Sequence, residues 1–140
     1  MPYEHLFFDL DHTLWDFEVN SKETLHNLYE EQNLLAKGIE DFDAFFNQYS
    51  HHNHRLWDRY TKGFIKQDEL RWKRMWLTLL DYKIADEKLS KEMSHDYLDI
   101  LPDKTNLFPS TISWLLANLG KSSYGFIESF MSKEVYIPSL

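Results

Sequence analysis

The apolar run Leu6-Phe7-Phe8 lies in residues 4–10 and reads as one short buried strand. Behind it the hydrophobic spacing changes from two to about 3.6 and stays helical. The first predicted helix opens at Asn20-Ser21, with Glu23 completing a capping box. Its apolar stripe is Leu25, Leu28, Tyr29 and Leu35, and Gly38 ends it. The second helix carries Phe42, Phe45, Phe46, Tyr49, Leu56, Trp57 and Tyr60 at three-four spacing, with the polar Asn53 interrupting, and closes at Gly63. The third is expected over 67–82, with Leu70, Trp72, Met75, Trp76, Leu79 and Leu80 as a wide apolar face. The fourth, 86–101, uses Leu89, Met93, Tyr97, Ile100 and Leu101 before Pro102 stops it. A last helix is expected over 111–119. Four amphipathic helices with short connections predict an antiparallel bundle.

Composition narrows the functions available. The chain has 140 residues, 43% hydrophobic and 16% aromatic, which is enough for a packed core. A net charge of −8 repels phosphate backbones and anionic headgroups, so neither nucleic acid nor a membrane is an expected partner. A small phosphorylated metabolite remains compatible, because a cation and a few basic groups reverse the field within one site. Cysteine is absent, which excludes disulfides and thiolate metal sites and fits a reducing cytoplasm, the expected location. No signal peptide or membrane-spanning run is apparent.

The strand ends in Asp9-Leu10-Asp11-His12-Thr13. In an extended chain, positions two apart share a face, so both carboxylates are expected to serve one site. One would attack while the other moves a proton, and magnesium would screen their repulsion. A polar turn with Asp11 or Thr13 capping a helix is the structural alternative.

An apolar strand followed by D-x-D-x-T resembles motif one of the haloacid dehalogenase (HAD) superfamily. Residues Phe7 to Asp16 are similar to the opening of its phosphatases, in particular the pyrimidine 5′-nucleotidase branch. The resemblance implies Asp9 as nucleophile, Asp11 as acid and base, both at the magnesium site, and Thr13 as a substrate-loop residue. HAD phosphatases of the C1 cap class insert a helical bundle after motif one. Asn53, Leu56-Trp57, Tyr60, Gly63, Leu70-Arg71 and Arg74 resemble that cap in type and spacing. Thr105-Asn106-Leu107-Phe108-Pro109 resembles the chain's return to the core, and the likeness covers about 110 residues.

The expected fold is therefore mainly α: a four-helix C1 cap on an incomplete α/β, Rossmann-like core of which only the first strand is present. The expected domains are 1–15 (strand and motif one), 16–101 (cap) and 102–140 (return and an atypical tail). Ser123 aligns with the phosphate-binding residue of motif two, and Lys133 is a nominal motif-three lysine, without the strand that should precede Ser123. The acidic pair of motif four has no counterpart. The chain is expected to be a truncated or frame-disrupted relative of a magnesium-dependent phosphohydrolase, with little turnover of its own. The alternative is a non-catalytic helical interaction module, or a fragment that self-associates. On either account the strand is expected to pair with residues 134–137, to pair with its counterpart in another copy or to be disordered, and a homo-oligomer through the exposed strand or the cap face is compatible with the sequence.

Two further clusters carry candidate chemistry. His51, His52 and His54 read as a solvated helix face, with a His51–His54 metal site as the sharper alternative. Arg71 and Arg74 are either substrate contacts reaching from the cap or an exposed i,i+3 pair beside Asp68 and Glu69. His12 is expected to be structural.

Overall fold

The computed structural model describes residues 14–118. In order come α1 (Phe17–Glu31), α2 (Phe42–Thr61), α3 (Gln67–Asp81), α4 (Glu87–Ile100), a 3-10 turn (Leu101–Asp103) and α5 (Pro109–Asn118). They form two compact units: 14–21 with 101–118, and Lys22–Ile100. The first turn of α1 belongs to the former and the remainder to the latter. The predicted strand at 4–10 and the tail lie outside the described residues.

The unit Lys22–Ile100 is the expected helical bundle. α3 packs against both α2 and α4. Phe45, Tyr49 and Leu56 of α2, Leu70, Met75 and Leu79 of α3, and Leu89, Met93 and Tyr97 of α4 form its buried interior. α1 is held to α2 by rings. Tyr29 lies 5.4 Å from Phe42 and 6.1 Å from Phe45, and His26 meets Phe42 edge-on at 4.7 Å.

Helix stops account for the departures from the predicted boundaries. α1 ends at Glu31 rather than Gly38, because Asn33 takes a left-handed φ of 48°. The Asn33 amide then bonds the Glu30 carbonyl and the Leu34 amide bonds the Tyr29 carbonyl, the reciprocal pattern of a Schellman stop. That turn carries Leu34 inward, fully buried, and leaves Leu35 exposed, the reverse of the predicted stripe. A second such stop follows at Gly38, where Ile39 bonds back to Leu34. α2 closes at Gly63 as expected. α3 closes on Lys83, at φ 62°, a residue type that gives no warning of a stop. Trp72 and Trp76 are only half-buried and Leu80 is exposed, so the real inward face of α3 is narrower than predicted.

In the other unit the two chain passes are stitched together. Trp15 and Leu107 form an antiparallel bridge. Asn20, predicted as a helix cap, is instead wholly buried within the first turn. Asp16 does the capping, its Oδ1 accepting from the Val19 amide at 3.1 Å. This frees the Asn20 amide to donate to the Asn106 carbonyl (2.9 Å) while its Oδ1 accepts from the Asn106 amide (3.1 Å) and side chain (2.8 Å). Trp15 Nε1 donates to the Lys104 carbonyl at 2.8 Å. Asn20→Ala removes the clasp and is expected to cost about 2 kcal/mol locally. Native-state hydrogen exchange at the Asn106 amide reads this as a speeding on the order of 30-fold; unchanged exchange would show that the clasp contributes nothing.

Candidate functional site

Asp9, Asp11, His12, Thr13, Ser123 and Lys133 lie outside the described residues. Of the expected site residues the structure places Arg71 and Arg74, on α3, and it separates their environments. Arg71 keeps part of its side chain in solvent, with Nη1 3.9 Å from Asp68 Oδ1. Arg74 is 1% exposed, so an exposed i,i+3 pair does not describe it.

Arg74 is inward because it lies on the same helical row as Leu70 and Thr78, four residues to either side. Its guanidinium lies between two rings, with Cζ 4.9 Å from the centre of Tyr97 and 5.8 Å from that of Tyr49. The rings themselves meet at 5.9 Å. Nη1 donates to Asn53 Oδ1 at 3.1 Å, and Nε donates to the Arg71 carbonyl at 3.3 Å. Ser94 Oγ donates to that same carbonyl at 2.8 Å, tying α4 to the same point. Nη2 is buried without a partner among the described residues.

No described carboxylate neutralises this charge. Asp68 faces Arg71, Glu69 pairs with Lys73, and Asp81 takes His52. An unpaired buried charge normally costs several kcal/mol. Here two cation–π contacts and two hydrogen bonds offset part of it.

Burial pushes the Tyr49 phenol well above its usual value, opposed in part by the nearby Arg74 guanidinium. The native state therefore holds this proton where the unfolded chain has lost it. The unfolded chain binds fewer protons above pH 10.0, so stability is fully present below that pH and falls as pH rises through it. Tyr82, raised chiefly by burial, acts in the same direction. The urea midpoint is expected to drop more steeply above pH 10.0 in the wild type than in Tyr49→Phe. Equal slopes would assign the alkaline loss elsewhere.

The histidine cluster divides as well. His51 and His54 are exposed, and His54 Nδ1 turns back to the Ser50 carbonyl at 2.7 Å. His52 is not solvated: it is buried, with Nε2 2.7 Å from Asp81 Oδ2 at the end of α3. The signal was present in the sequence, since His52 lies three after Tyr49 and four before Leu56 on the inward row. Among the described residues no three His, Asp or Glu side chains converge on a metal-binding point. No described helix is long and apolar enough to cross a membrane.

No family model and no curated protein matches the chain. Among solved structures it is similar to YfnB of Bacillus subtilis, a protein described as a HAD-hydrolase and crystallised bound to magnesium. The TM-score is 0.67 at 27% identity, over 80% of this chain and 46% of that one. The chain thus spans under half the length of that protein. The shared structure supports placement among HAD-like proteins and accounts for the helical bundle as a HAD-type cap.

Proposed function

We propose that this chain carries the nucleophile strand and the helical cap of a HAD-type phosphohydrolase acting on a small phosphorylated metabolite. The observation that carries the reading is Asp9-x-Asp11-x-Thr13 behind an apolar run, followed by a bundle shared with a HAD-hydrolase. In this reading the Asp9 carboxylate attacks phosphorus in line, and Asp11 protonates the departing oxygen. Asp11 then takes a proton from the water that hydrolyses the aspartyl-phosphate. Magnesium, when bound, supplies countercharge for the phosphoryl oxygens and the two carboxylates. The magnesium-bound neighbour supports that cofactor, while both proposed ligands lie outside the described residues. The pyrimidine-nucleotidase branch remains the finer proposal, resting on the motif-one segment and on Asn53, Arg71 and Arg74.

These 140 residues alone are expected to hydrolyse p-nitrophenyl phosphate no faster than background, with or without magnesium. After Ser123 the acidic residues are Glu128 and Glu134, which do not form the acidic pair of motif four. The reading itself is tested by a chimera in which residues 1–118 replace the matching segment of the B. subtilis protein. Magnesium-dependent turnover is expected, falling on the order of 10⁴-fold or more in Asp9→Asn. A folded chimera whose turnover ignores Asp9 would overturn it and favour a non-catalytic helical module.

A further inference from the structure

Stability alone does not require a guanidinium at this place in α3. A Met or Leu of similar volume would fill the space between Tyr49 and Tyr97 without the desolvation cost, and such exchanges are often neutral or stabilising. What a guanidinium offers here and an apolar side chain does not is a set of directed N–H donors.

A guanidinium has donors only, so the Asn53 atom it meets at 3.1 Å must be the amide oxygen. That fixes the flip of the Asn53 amide on chemical grounds. Nδ2, with two N–H donors, is then left for other acceptors. Asn53 is half-buried, and no hydrogen bond among the described residues engages its Nδ2. Arg74 is itself immobilised by the two rings and by the Arg71 carbonyl, which Ser94 holds from α4. The result is a donor pair fixed in orientation before anything binds, and preorganised donors discriminate better than mobile ones.

We infer that Arg74 is a positioning residue, which locks the Asn53 amide so that Nδ2 donates to an oxygen acceptor on the organic part of a phosphorylated ligand. Asn53 is then the specificity contact and Arg74 never touches the ligand. This rests on the phosphohydrolase reading for the ligand's class, but its test uses binding and no chemistry.

The probes are uridine 5′-monophosphate, whose base carries carbonyl acceptors, and phenyl phosphate, whose leaving group carries none. The full chain is labelled with ¹⁵N, and the Asn53 Nδ2 resonances are identified by their loss in Asn53→Asp. Uridine 5′-monophosphate at millimolar concentration is expected to shift them, and phenyl phosphate is not. Arg74→Met keeps the packing but removes the lock. The apparent affinity read at Asn53 should fall about tenfold, the loss of one hydrogen bond to a fixed donor, and Arg74→Lys should not restore it because an ammonium lacks the planar fork. An undiminished response in Arg74→Met would overturn the inference. So would equal responses to the two probes, or no response at Asn53. Failure of the phosphohydrolase reading shows separately, as a chimera without Asp9-dependent turnover.

Discussion

Arg74→Ala is expected to destabilise the Lys22–Ile100 bundle by about 3–5 kcal/mol, whereas Arg74→Met changes it by less than about 1 kcal/mol or stabilises it. Both substitutions remove the charge, the two cation–π contacts and the bond to Asn53. Only Ala leaves a cavity between Tyr49 and Tyr97. Met fills it with a flexible thioether that packs well against aromatic edges. Neither orphans a buried acceptor. The Arg71 carbonyl keeps its bond from Ser94 Oγ, and half-buried Asn53 can turn to water. Urea denaturation of the three proteins decides the matter. Equal losses for Ala and Met would show that the guanidinium itself holds the bundle together, and the positioning argument would lose its premise.

Phe45→Ala is expected to cost about 3–5 kcal/mol. Phe45 is fully buried, and its ring meets Tyr29 of α1 at 6.1 Å and Tyr82 beyond α3 at 6.3 Å. It thus links both α1 and the end of α3 to α2. Because the Phe45 ring meets Tyr29 of α1 and, among the described residues, no ring of α4, the loss should fall unevenly. Hydrogen exchange is expected to speed more in the part of α1 beyond Lys22 than in α4. A uniform change across all four helices would contradict that picture.

Much of the bundle was legible, for a physical reason. α2, α3 and α4 have apolar rows at three-four spacing, and Asp41 caps α2 through the Ala44 amide, a pairing that residue type announces. What escaped were stops made by residues with side chains. Asn33 and Lys83 both take left-handed backbone conformations; asparagine adopts that region readily and was a signal passed over, whereas lysine gives none. Polar residues on inward rows escaped in the same way. His52 and Arg74 have the spacing of core positions, but their chemistry suggests solvent. Their burial depends on partners from other helices: Asp81 for His52, and Asn53 and two tyrosines for Arg74. The candidate catalytic pair is the opposite case. Asp9 and Asp11 are legible as a short motif and nothing else, since the described residues begin at Leu14.

The Asn20–Asn106 clasp has a kinetic side. Its partners are 86 positions apart, whereas the helix stops at Asn33, Gly63 and Lys83 close loops of a few residues each. Ordering so long a loop is entropically expensive until the intervening chain is already compact. Folding is thus expected to run from the bundle outward, with the asparagines meeting last. The Trp15–Leu107 bridge beside the clasp is then also completed at the end of the reaction.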